Sequence, residues 1–170
     1  MLKMYKNKKL ILTIFVGLLI IIGLSWLARP TSTNQKADLG EKTDIGIEVD
    51  NKDYDFGTIS MAEGVVTHKF KVKNSSEFPL QINKMYTSCM CTVASLLLKE
   101  SKFGPMGMPG HGSIPEFKAE LQPGEEAEVE VAFDPAAHGP AGVGRIARSV
   151  FLESNGQTVL ELGIAAFVRP

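Results

Sequence analysis

The sequence predicts an all-β domain of short strands carried behind one transmembrane helix. Three observations point there: an uncharged apolar run near the start, a polar segment after it, and a strict two-residue alternation of apolar side chains in the remainder. Leu10 to Ala28 is a run of 19 residues without a charge. As a helix it is roughly 28 Å long, close to the thickness of bilayer hydrocarbon. Lys3, Lys6, Lys8 and Lys9 precede it, and only Arg29 follows closely. Positive flanks stay in the cytoplasm. Residues 1–9 are therefore expected to be a cytoplasmic basic tail, and residues 10–28 a single-pass anchor in the cytoplasmic membrane. The C-terminal part then lies on the extracytoplasmic side, periplasmic or extracellular. A cleaved signal peptide is the alternative, but the run is long, and a cut after Ala28 sets Trp26 where a small residue is wanted. Lipoprotein processing needs a cysteine just after the apolar run, and the two cysteines are Cys89 and Cys91.

Residues 29–45 (with PTSTNQKADLGEKTD at 30–44) hold almost no large apolar side chain and read as a flexible linker. Residues 46–170 are the right length for one ordinary domain. Val66, His68, Phe70 and Val72 share one face of a strand, while Val65, Thr67, Lys69, Lys71 and Lys73 share the other. Ala127, Val129, Val131 and Phe133 repeat the pattern, and so do Leu160, Leu162, Ile164, Ala166 and Val168. Alternation over such lengths marks half-buried strands. Turn residues at 74–79, 122–125 and 154–157 separate the runs. The strands are expected near 46–50, 53–59, 64–74, 80–88, 91–97, 116–121, 126–133, 145–153 and 157–168. So many short antiparallel strands in a domain of this size suggest a β-sandwich.

Particular residues carry a resemblance. Tyr54-Asp55-Phe56-Gly57-Thr58-Ile59, Val66-Thr67-His68-Lys69-Phe70, Asn74, Pro79-Leu80 and Ile82 come in a familiar order. Ser88-Cys89-Met90-Cys91-Thr92, Leu121-Gln122-Pro123-Gly124-Glu125, Phe133-Asp134-Pro135 and Ser154-Asn155 continue it. From about residue 48 to 168 the chain resembles the bacterial family called domain of unknown function 1573, an immunoglobulin-like sandwich akin to the major-sperm-protein and cilia-associated type. The resemblance implies that fold and a cell-envelope location, and no activity. Two departures stand out. Met90 lies between the cysteines where the family usually has Gly, and an insertion of roughly Leu97 to Pro115 follows them.

Charge narrows the function classes. All 19 acidic residues follow Arg29, so the outer part is net negative, which disfavours nucleic acid as a partner. The chain is not expected to be an enzyme. No Ser/His/Asp set has a recognisable spacing. Gly142-Val143-Gly144 lies in a strand-to-strand loop rather than before a helix, so it is not a phosphate cradle.

One constellation carries chemistry. Cys89 and Cys91, the Met106, Met108 and His111 of the insertion, and the His138 of a Gly/Pro-rich loop are the soft or borderline ligands. Hairpin parity brings them together. If strand 64–74 starts at the top, its hairpin is at the bottom and strand 80–88 returns the cysteines to the top. The hairpin at 122–125 lies at the bottom, so strand 126–133 delivers His138 to the top, and strand 116–121 descends from an insertion that also hangs there. A long separate strand at 91–97 would make the insertion begin at the bottom and climb.

Thiolate, thioether and imidazole together select soft metals, with Cu(I) the best match and zinc the alternative. Side chains two apart in extended backbone face the same way, which suits Cys89 with Cys91 and Met106 with Met108. Each piece also has a plainer reading. The cysteines are a strained disulfide or two small buried residues, the methionines are apolar plugs, and the loop histidines are solvated or bonded to backbone. His68 is expected to be a core histidine. Met85 and Met90 are weaker candidates for ligands. Two other functions stand beside metal capture: a non-catalytic module that binds an envelope protein partner, and a thiol redox protein using Cys89 and Cys91. Against the second, no cation is evident in the sequence to stabilise a thiolate.

Overall fold

The computed structural model describes residues 46–170, together with Gly17 and Leu19, which are helical. The expected tail, anchor and linker otherwise lie outside the described residues. Among the described residues no helix is long and apolar enough to cross a membrane. Residues 46–170 belong to one compact unit.

Within residues 46–170 the chain is all-β, with strands β1 (Ile47–Val49), β2 (Asp53–Ser60), β3 (Val66–Asn74), β4 (Leu80–Ile82), β5 (Lys84–Thr87), β6 (Thr92–Leu98), β7 (Ser101–Met106), β8 (Ala119–Leu121), β9 (Glu126–Phe133), β10 (Gly144–Ser154) and β11 (Gln157–Arg169). Helical structure there is limited to two short 3-10 turns, at Met61–Glu63 and Gly139–Gly142. A five-stranded sheet of order β1-β3-β9-β6-β7 faces a four-stranded sheet of order β2-β11-β10-β5, and β4 pairs with β8 in a small third sheet.

The alternation read from the sequence sets the core. Phe70, Val72, Val129, Val131 and Phe133 from the first sheet, and Val150, Leu152, Leu162, Ile164 and Val168 from the second, are buried. Each such side chain contributes about 1.5–3 kcal/mol by leaving water. The lysines of β3 and the glutamates of β9 take the outer face, where Lys69 pairs with Glu128 at 2.8 Å. His68 is half-buried rather than fully internal, stacked on Tyr54 with ring centroids 3.6 Å apart and edge-on to Phe70. Burial lowers its pKa from the ordinary value.

Four expectations need correction. The sandwich is not wholly antiparallel, because β2 pairs parallel to β11, with Tyr54 opposite Ile164 and Ile59 opposite Val168. A strand crossing from one sheet edge to the other joins whichever neighbour covers its core face, and alternation carries no direction. The strand expected at 80–88 is two, since the backbone of Asn83 bonds on one side to Glu153 and on the other to Phe117, and β4 and β5 enter different sheets. The strand expected at 116–121 shortens to Ala119–Leu121. The insertion, expected as loop, contains β7.

That last point alters the route and keeps the destination. Thr92 lies opposite Phe133 and Leu97 opposite Glu128, so β6 starts at the upper end and descends. β7 climbs back beside it, ending with Met106 opposite Ala94. Phe103 of β7 stacks on Phe117 at 5.1 Å and ties the insertion to the segment before β8.

Candidate thiol and imidazole site

The upper end of the sandwich is held by backbone hydrogen bonds around the two cysteines. β5 ends at Thr87, which is buried, and its hydroxyl reaches the carbonyls of Cys89 at 3.0 Å and Thr92 at 2.8 Å. The Thr92 N–H donates to the Cys89 carbonyl at 3.1 Å, closing a tight turn, and the Asp134 N–H donates to the Cys91 carbonyl at 2.8 Å. Ser88 and Ser149 exchange two bonds of 2.9 Å, one backbone to backbone and one from the Ser149 N–H to the Ser88 hydroxyl. The turn that carries the thiols is thereby fastened to both sheets. Cys89 is half-buried, Cys91 is buried, and Met90 between them points away, 47% exposed.

His138 arrives on the loop after β9. Asp134 accepts from the Ala136 N–H at 2.9 Å and from the Ala137 N–H at 3.3 Å, and Ala136 accepts from the Gly139 N–H at 2.9 Å. These turns bring the loop back over the cysteines. Gly142 packs so close that a Cβ there would stand 3.2 Å from the His138 Cβ. His138 is exposed, and its Nε2 lies 3.1 Å from the Cys89 Sγ. The Cys91 thiol donates to the Cys89 sulfur at 2.8 Å. The ligand atoms of Cys89, Cys91 and His138 all lie within 4.8 Å of one another.

A fourth residue completes the group. Arg148 on β10 donates from Nε to the Cys91 sulfur at 3.3 Å and from Nη1 to the Ala147 carbonyl at 2.7 Å. Arg148 thus places a cation beside the thiols, which the sequence alone does not reveal. What signal there is lies in the alternation. Arg148 occupies the same parity as Ile146, Val150 and Leu152, an inward position, where a charge needs a partner.

The electrostatics divide the two thiols. Burial pushes Cys89 up, but hydrogen bonds from the side chain and backbone of Cys91, the His138 contact and the Arg148 charge outweigh it. They hold the Cys89 thiol at about 7, against an ordinary 9.0. Burial and the bond it donates to Cys89 raise Cys91, overcoming the opposing bonds from Arg148 and Thr92. The pair thus favours one thiolate, and the proton that remains sits on the inner sulfur.

Of the six residues expected to gather at this end, the structure brings Cys89, Cys91 and His138 into one cluster. Met106 ends β7 in the hydrophobic core, 4% exposed. Met108 is half-buried in the following loop, where its carbonyl accepts from the His111 N–H at 3.3 Å, and His111 is exposed. The insertion does reach the upper end, since the Thr87 N–H donates to the Gly107 carbonyl at 3.1 Å.

Residues 47–105 match the family model described as "Protein of unknown function (DUF1573)". The matched stretch holds both cysteines and ends within β7. Among curated proteins, none matches the chain. Among solved structures, a protein of unknown function from Porphyromonas gingivalis W83 superposes with a TM-score of 0.50 at 15% identity, over 71% of this chain and 46% of that one. This chain thus spans less than half the length of that protein, and the likeness is one of fold. The ASH / PapD-like domain 7 of human CEP192 gives a TM-score of 0.42 at 14% identity, covering 74% of this chain and 86% of that one. The periplasmic chaperone SfaE gives 0.41 at 8% identity, covering 74% and 59%.

Proposed function

We propose that the chain is a membrane-tethered, extracytoplasmic β-sandwich that captures a single Cu(I) ion between Cys89, Cys91 and His138, to buffer it or pass it on at the cell envelope. The observation that carries this reading is the convergence of two thiols and an imidazole, their ligand atoms all within 4.8 Å of one another, on a turn bonded to both sheets. Two sulfurs and a nitrogen are a soft donor set. The sulfurs are 2.8 Å apart. Two thiolates on one ion, at roughly 2.3 Å each, stand about 3.7–4 Å apart, so a small rotation of each side chain opens the space.

Charge favours copper over zinc. Two thiolates with Cu(I) leave one negative charge, which the Arg148 guanidinium at 3.3 Å from the Cys91 sulfur balances. Two thiolates with Zn²⁺ are already neutral, and Arg148 would remain as an uncompensated, partly buried cation. The test is a Cu(I) titration of the full chain in detergent under reducing conditions, with the mass of the complex measured. One Cu(I) per chain is expected, and none once Cys89 and Cys91 are replaced by Ala. Copper uptake that ignores both replacements would remove the reading.

A further inference from the structure

We infer that Cys89 and Cys91 also undergo thiol–disulfide exchange with a small-molecule disulfide, Cys89 as the attacking sulfur and Cys91 as the resolving one, and that the resulting Cys89–Cys91 bond closes the metal site. The closure rests on the Cu(I) reading; the exchange stands on the sulfur geometry alone.

Four features carry it. The two sulfurs touch at 2.8 Å. The Thr92 N–H donates to the Cys89 carbonyl at 3.1 Å, so both cysteines lie in one tight turn. The exposures are unequal: Cys89 is half-buried and open to a reagent, while Cys91 is 3% exposed and sits behind it. Arg148 donates to the inner sulfur, where a thiolate must form for the second step.

The chemistry balances as follows. The Cys89 thiolate attacks one sulfur of the external disulfide; that S–S bond breaks and one thiolate leaves with the electron pair. Cys91 then gives its proton to the departed thiolate and attacks the Cys89 sulfur. The mixed disulfide breaks and the second thiolate leaves. Two protein sulfurs lose two electrons, and the external disulfide becomes one thiol and one thiolate, which takes from solvent the proton that Cys89 released on ionising.

The experiment uses the full reduced, metal-free chain in detergent, exposed to oxidised glutathione, quenched with an alkylating agent and weighed. A monomer lighter by two hydrogens is expected. Cys91→Ser should accumulate a single glutathione adduct on Cys89. Cys89→Ser should react roughly 100-fold more slowly. Circular dichroism shows that each variant keeps its strands, and Cys91→Ala replaces Cys91→Ser should the hydroxyl unfold it. Disulfide-linked dimers in the wild type, or equal reactivity of the two single variants, would overturn the exchange. Oxidised protein should take up no Cu(I) until reduced again. Equal uptake by both forms ends the closure, whereas exchange in a chain that never binds Cu(I) when reduced ends the copper reading and leaves the exchange standing.

Discussion

At the lower end of the sandwich Asn74 is wholly buried, and every polar atom it has is used. Its amide donates to the carbonyls of Phe78 at 2.9 Å and Leu121 at 2.8 Å, while its side-chain oxygen accepts from the backbone and hydroxyl of Ser76. Its own backbone bonds to Glu125 and Gly124. At the upper end Cys89, Cys91, His138 and Arg148 make a comparable knot of contacts, but sulfur lone pairs and an exposed imidazole remain available. Both knots close loops between strands. A polar group whose bonds are all made holds the fold, and one with capacity left over can take a ligand or react.

The sharpest way to break this contrast is at the sulfurs. Cys89→Ala and Cys91→Ala should each lower Cu(I) affinity by about a thousandfold or more, roughly 4 kcal/mol, since thiolate is the strongest soft donor present. Cys89→Ala should leave the urea midpoint nearly unchanged. Asn74→Ala should do the reverse. It takes the amide donor from the buried Leu121 carbonyl and should cost about 2 kcal/mol in urea unfolding, with Cu(I) affinity in the surviving folded protein unaltered. A drop in affinity there would mean the two ends are coupled.

Arg148 gives a smaller effect of distinctive sign. Arg148→Met should raise the midpoint of Cys89 alkylation above about 7, slow alkylation at pH 6 by about threefold, weaken Cu(I) by a similar factor and strengthen Zn²⁺. The same residue shapes pH dependence. The folded Cys89 titrates near 7 and the ordinary thiol at 9.0, so its contribution to stability is present above 9 and is lost as pH falls through about 7. Cys91, raised rather than lowered, works in the opposite sense. In Arg148→Met the gain in stability between pH 7 and 9 should shrink, while the bonds from Cys91 and His138 keep part of it, which urea titrations across that range would read.

The smallest effects belong to Met108→Ala and His111→Ala, each expected within about twofold of wild type for Cu(I). His111 is not part of the cluster of Cys89, Cys91 and His138, and Met108 is half-buried in the loop after β7, although the sequence offers both as ligands. A tenfold loss in either would return the insertion to the site.

Alternation of side chains belongs to the chain itself. It placed Val129, Val131, Leu162 and Ile164 in the core and the lysines of β3 outside before any partner strand was known. Counting hairpins then carried Cys89, Cys91 and His138 to one end, because each tight turn reverses the direction of a strand. Those steps depend on residues near one another in sequence. The parallel pairing of β2 with β11, the climb of β7 and the burial of Met106 depend on which surfaces meet across the molecule. So does the contact that changes the chemistry most. Arg148 and Cys91 stand 57 residues apart in the chain. The sequence marked the arginine as facing inward, but only the pairing of β10 with β5, with Val150 opposite Thr87 and Ser149 bonded to Ser88, decided that its charge would meet a sulfur.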